Sequence, residues 1–305
     1  ARVTVHQSFN RDNFKGDGGV AVGYTNSPGF DPSRRFSLPN DFALMEDSQT
    51  HVLFNATISP TWEFRNGFLM RRTSEEYFVT EGVSYDPSTN SVPREGLYFH
   101  HTRRPVVNQA ELVGHFNFLK MRHHVLVGHD YRDFYQRTDV TEGGGFYEYT
   151  PISLTDFRET NPPITSFPIV RKTYQANRIH AGFWQDQIDV TSKLKINIAG
   201  RFDDYNRQRH RTFEIDPNTI TGVQTRHQTA YTYRAGIVYA PISNHQLYFN
   251  SSTSFTPVID IPPNGAELKP RTGRGYEAGY RWQGWNGRVQ TNLAVYHIEQ
   301  NNLTF

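Results

Sequence analysis

Five groups of residues have the types and spacing that chemistry uses. His100-His101 and His123-His124, with His129 close behind, offer imidazoles to a metal ion. Asp203-Asp204 offers two carboxylates, the raw material of an acid/base pair. Gly143-Gly144-Gly145 has the composition of an anion-cradling loop, and Asn250-Ser251-Ser252 and Asn302-Leu303-Thr304 match the glycosylation pattern. Phe146, Tyr147 and Tyr149 follow the three glycines and offer ring faces to an apolar ligand and hydroxyls to its oxygens.

Most of these readings fail on local grounds. Neighbouring residues of a strand point to opposite faces, so adjacent histidines do not converge on one metal, nor adjacent aspartates on one cavity. No acidic residue is spaced to complete a histidine site, and the histidines are read as structural or solvated, with no metal expected. No Lys-Ser/Thr follows the triglycine and no helix opens there, which leaves it a flexible loop rather than a phosphate loop. Both glycosylation matches fall in strand or strand-end contexts. No Gly-x-Ser-x-Gly sequence occurs, and no catalytic residue or enzyme activity is assigned. The aromatic trio Phe146, Tyr147 and Tyr149 survives as the candidate ligand contact, against the plainer reading that it packs its own loop or joins an outer aromatic belt.

The elements that must position this trio are strands. Leu194, Ile196, Ile198, Gly200 and Phe202 alternate with Lys195, Asn197, Arg201 and Asp203, a period of two with one apolar and one polar face. The alternation assigns Ile198 to lipid and Arg201 to a lumen. A short turn at 191–193 precedes this strand and a long polar stretch at 207–226 follows it, the plan of an outer-membrane barrel. The same rotation of short and long connections recurs along the chain. Long stretches are expected at 11–49, 78–105, 136–169, 207–226 and 257–274, and short turns at Asn66-Gly67, 119–122, 191–193, 241–245 and Asn286-Gly287. The pattern predicts about eleven antiparallel strands. Trp62, Trp184, Trp282 and Trp285 all fall in or near short turns, as residues marking one membrane interface would.

Composition excludes other classes. Mean hydropathy is −0.67, and nowhere does the 305-residue chain approach the ~20 consecutive apolar residues of a membrane-spanning helix. There is no cysteine, so thiol chemistry is excluded. The 32 basic and 30 acidic residues are evenly mixed, with no basic stripe or tail for phosphate neutralisation, so nucleic acid is not expected as a partner. The chain opens without an initiator Met inside a strand-like run, and is expected to be a fragment.

LKINIAGRFDDY (194–205), YRAGIVYAPISNHQLYFNSSTSFTP (233–257) and LKPRTGRGYEAGYRWQGWNGRVQTNLAVYHIEQNNL (268–303) resemble the barrel of TonB-dependent siderophore receptors of the ferrichrome-receptor type, as do HVLVGHDYRDF (124–134) and FWQDQ (183–187). The likeness is specific over 123–303 and rests only on strand and loop spacing before that. It implies an all-β, antiparallel transmembrane barrel of the Gram-negative outer membrane with 22 strands and an internal plug. It further implies import of ferric siderophores with energy supplied through TonB. On this reading residues 1–305 are a partial barrel in contact with outer-membrane lipid. The N-terminal plug that meets the TonB complex and the C-terminal strands are absent, and Phe305 is not a terminal barrel aromatic. None of the five long stretches is more than three charges from neutral, which suits a neutral ferric hydroxamate better than an anionic catecholate. A passive porin, uptake of another TonB-dependent substrate such as cobalamin or a glycan, and a soluble all-β binding protein remain as alternatives.

Overall fold

The computed structural model describes residues 1–16, 18–141, 146–214, 220–258 and 268–303; side chains within 206–224 are not among them. One antiparallel sheet holds twelve strands: β1 (Arg2–Phe14), β2 (Phe42–Ser59), β3 (Trp62–Gly82), β4 (Ser91–Phe118), β5 (Met121–Thr141), β6 (Phe146–Ser153), β7 (Ile169–Asp189), β8 (Leu194–Glu214), β9 (Ile220–Ile242), β10 (His245–Thr256), β11 (Arg271–Gly284) and β12 (Val289–Asn301). Eleven of them follow chain order across the sheet, while β6 stands off that path and pairs with β4. The wall therefore has the expected number of strands, and β6 is an addition built from a connection. Among the described residues no helix is long and apolar enough to cross a membrane, which leaves crossing by strands untouched.

Cross-strand register sorts the side chains into two faces. Leu194, Ile196 and Phe202 of β8 stand opposite Tyr239, Ile237 and Tyr231 of β9, and the row continues through Leu247 and Phe249 of β10 to Tyr280 and Ala278 of β11 and Leu293 and Val295 of β12. A shallow depression on this face is lined by Ile237, Tyr239, Leu247, Phe249, Leu293 and Val295. Phe202 and Tyr231 are half exposed or more, so this face has no protein covering it. The alternate residues Arg201, Asp203, Arg234 and Glu277 fall on the other face. An uncovered apolar band on one side and ionic residues on the other define lipid-facing and lumenal surfaces.

Trp62 opens β3, Trp184 lies five residues before the end of β7, Trp282 lies two before the end of β11, and Trp285 stands in the turn after it. All four sit at the short-turn end. The Trp184 ring lies across β8, where a Cβ at Gly200 would come within 2.7 Å of its indole nitrogen, so the glycine makes room for this anchor.

Two expectations are corrected. The β2–β3 turn lies at Pro60-Thr61, and Asn66-Gly67 lies within β3. Asn66 is held there by Asn108 of β4, each amide donating to the other's oxygen at 3.3 and 3.1 Å. The long stretches are also partly strand, and those at 78–105 and 207–226 mostly so. β3 and β4 run on to Gly82 and from Ser91 and leave only residues 83–90 between them. β5 reaches Thr141, β6 fills 146–153, and β8 and β9 reach Glu214 and Ile220. Beyond the membrane lipid no longer imposes an apolar face, so clean alternation disappears from the sequence while backbone pairing continues.

The barrel wall has no central core of its own. The described apolar core lies at the long-connection end, where Ala21, Tyr24, Phe36, Val92, Ile152 and Leu154 pack together. Segment 18–41 and β6 thereby cover one face of the extended β3–β4 hairpin.

Candidate functional site

Three polar groups line the lumenal face. Asp130 of β5, 2% exposed, meets Arg132 at 2.8 Å and Arg201 of β8 at 3.1 Å, and Arg201 also holds Asp203 at 2.8 Å. Higher up, Arg103 bridges Glu75 at 2.6 Å and Gln136 at 3.1 Å, and Arg71 binds Asp47 at 2.6 Å. Within these groups each cation faces a carboxylate. Tyr77 of β3 and Phe99 of β4 stand opposite each other on the same face, and Phe99 stacks on His101, which shares a hydrogen bond with Thr138. Aromatic faces next to balanced hydrogen-bonding groups suit a ligand with an apolar backbone and many oxygens.

The candidate trio is divided by its register. Phe146 pairs with Leu97 on the lumenal side and is 48% exposed. Tyr147 and Tyr149 pair with Gly96 and Arg94 and point to the opposite face. The Tyr147 ring meets Phe78 and Phe167 edge to face at 5.9 and 5.8 Å, and Phe167 in turn stacks on Tyr98 at 4.4 Å. Tyr149 lies under the Arg94 guanidinium. Gly143 to Gly145 lie outside the described residues. Tyr147 and Tyr149 thus build the layer that supports the β3–β4 extension, and Phe146 is the member of the trio open to the barrel mouth.

A polar clasp fastens this layer. Arg94, almost fully buried, makes two hydrogen bonds to the Glu159 carboxylate, at 2.6 and 3.0 Å. Burial pushes the Glu159 carboxyl up, but the Arg94 and Asn161 hydrogen bonds outweigh it and bring the pKa down to about 2. Asp41 accepts from the Thr80 and Leu38 backbone N–H groups and the Thr80 hydroxyl, yet burial dominates and raises its pKa. Burial also lifts the Tyr149 phenol to about 12, with Thr80 opposing.

Three of the five histidines find one acidic neighbour each. His100 meets Asp139 at 3.0 Å, His123 meets Asp186 at 2.7 Å and His124 meets Asp189 at 3.4 Å. Among the described residues no three metal-ligating side chains converge. Asp203 and Asp204 separate as expected, the first to Arg201 and the second to His227. The lumenal Phe99, His101 and Arg103 were hidden from sequence reading because 78–105 lacks clean alternation. The cross-strand complementarity of Glu75 and Arg103 was the one signal available.

A sheet with one apolar aromatic face, one ionic face, tryptophans at the short-turn end and a packed structure at the long-connection end is the wall of an outer-membrane β-barrel. The family model for the TonB dependent receptor-like beta-barrel matches residues 2–305, and the chain belongs to that family. It is 23% identical over 274 residues to the metal-pseudopaline receptor of Pseudomonas aeruginosa, an overlap covering 89% of this chain and 38% of that protein. It is 28% identical over 193 residues to the ferrioxamine B receptor of Salmonella typhimurium, covering 60% of this chain and 24% of that protein. Among solved structures, the ferric-catecholate import receptor Fiu of E. coli K12 superposes with a TM-score of 0.81 at 15% identity, over 98% of this chain and 50% of that one. The chain spans about two fifths of the length of the curated relatives it matches most fully.

Proposed function

We propose that this barrel is part of a receptor that imports a ferric siderophore across the outer membrane, energised by TonB through a plug domain, with a hydroxamate complex as cargo. The observation that carries the reading is the charge-balanced, aromatic-bearing lumenal wall, with Tyr77, Phe99 and His101 beside the Glu75–Arg103–Gln136 network. A highly anionic catecholate complex calls for a net positive funnel, and here Arg71, Arg103, Arg132 and Arg201 each already hold a carboxylate. The curated relatives with siderophores in their names, among them the ferric-pyoverdine 358 receptor of Pseudomonas putida, support the transport class. Phe146, Tyr147 and Tyr149 remain the proposed ligand contact from the connection after β5, Phe146 directly and the tyrosines by holding the strand that carries it.

The test is binding of ferric hydroxamates and ferric catecholates to the full-length receptor and to its Phe146→Ala and Tyr147→Ala variants. Tighter hydroxamate binding, weakened about tenfold by loss of the Phe146 ring, is the expected outcome. Tighter catecholate binding refutes the cargo assignment, and unchanged affinity in both variants refutes the contact.

A further inference from the structure

Two arginines on the lipid side of the wall have a placement that transport does not use. Trp62, Phe64, Phe68 and Met70 of β3 share the lipid-facing side, and Arg72 is the next residue in that row. Ten residues separate Trp62 from Arg72, and a strand tilted about 40° rises roughly 25 Å over that span, the height of the apolar band of a barrel. Arg72 therefore stands where hydrocarbon ends on the side away from the short turns, at the headgroups of the outer leaflet.

The register holds Met70 opposite Val106 and Thr73 opposite Arg103, which places Arg72 directly across from Arg104 of β4. Both side chains are exposed. The neighbouring strands put Ser48 beside Arg72 and Tyr135 beside Arg104, so the row brings hydroxyl donors but no counter-charge. The nearby carboxylates on this face are engaged: Glu46 with Arg11 at 3.4 Å, Asp133 with Arg178 at 2.7 Å, and Glu76 with the Tyr98 hydroxyl at 2.9 Å. Neither Arg72 nor Arg104 has a carboxylate partner among the described residues. Like charges directly opposite across a strand pair destabilise a sheet unless an anion lies between them.

We propose that Arg72 and Arg104 dock a phosphorylated lipid headgroup of the outer leaflet on the outside of the barrel. Two guanidiniums can grip phosphate oxygens in bidentate fashion, with the hydroxyls of Ser48 and Tyr135 at the flanks and Met70 below to meet an acyl chain. This site is independent of the imported cargo.

The experiment is native mass spectrometry of the full-length receptor in detergent, wild type against Arg72→Gln/Arg104→Gln. The probes are lipid A bearing two phosphates, the same lipid without phosphates, and inorganic phosphate as competitor. The expected result is about thirtyfold weaker binding of the phosphorylated lipid to the double variant, equal weak binding of the phosphate-free lipid to both, and no displacement by millimolar phosphate. Each single Gln variant should lose part of that affinity, and Arg72→Lys/Arg104→Lys should recover only part of it, because lysine restores the charge but not the bidentate fork. Because the substitutions remove a like-charge contact, the Gln variants should melt no lower than wild type in lipid-free detergent. Equal lipid affinity in wild type and double variant overturns the proposal. So does wild-type affinity that ignores the lipid phosphates, and displacement by inorganic phosphate makes the pair a free-anion site and overturns lipid docking.

Discussion

The assignment of lipid and lumenal faces is tested most directly at Ile237. This residue lies five positions from the end of β9, a rise of roughly 13 Å along a tilted strand, which puts it near the middle of the apolar band. Its cross-strand neighbours are Ile196 and Phe249, so nothing nearby can solvate a charge. A lysine there reaches about 6 Å and falls well short of either interface, so Ile237→Lys should cost about 2 to 4 kcal/mol of folding free energy in a bilayer. The control is Asn197→Lys, one strand away on the lumenal face between Gln187 and Gly236, where the change should stay within about 0.5 kcal/mol. Ile198→Lys is a less clean probe because Asp186 stands opposite it and can partner the new ammonium, and an intermediate cost is expected. Reversible urea unfolding of the full-length receptor in vesicles measures all three. Equal costs at Ile237 and Asn197 refute the assignment of faces.

The clasp between Arg94 and Glu159 gives a pH prediction. The Glu159 pKa is lowered from 4.5 to about 2 in the folded protein, so its contribution is complete above pH 4.5 and is lost as pH falls toward 2. Hydrogen exchange of residues 154–168 should accelerate over that window in the wild type, while Glu159→Gln should show the faster exchange already at pH 6; an acid response that persists unchanged in the variant removes the clasp from the explanation. In the lumen, Arg201→Gln leaves Asp130 with Arg132 alone and should destabilise by about 3 kcal/mol, with the double change Asp130→Asn/Arg201→Gln costing less than that. Additive losses in urea unfolding exclude coupling through this pair.

How far the fold was legible follows from the solvent on each face. Where lipid meets one face and the lumen the other, as along Leu194 to Asp203, the period of two is written into the residue types. Where no lipid lies against the sheet, as in the upper parts of β3 and β4, the face under segment 18–41 and β6 buries polar Thr80 and Arg94 beside Phe78 and Tyr98, so no clean alternation is written and strand looks like loop. Asn66-Gly67 misled for a related reason. Turn chemistry is local, but Pro60 ends the β2–β3 ladder first, and the amide exchange with Asn108 makes Asn66 tolerable on a lipid-facing strand.

The site was legible only in part because orientation within a connection is set by a distant partner. Nothing in Phe146-Tyr147-Glu148-Tyr149 states which side of the strand faces the lumen. That is decided by pairing with Arg94 to Leu97, about fifty residues earlier in the chain. A shift of that register by one residue would send Tyr147 and Tyr149 to the mouth and bury Phe146. The Phe78, Phe167 and Tyr98 rings packed with Tyr147 oppose such a slip, because the shifted register would pull the Tyr147 ring out of that stack. The aromatic layer therefore fixes the register that turns one ring of the three, Phe146, toward the lumen.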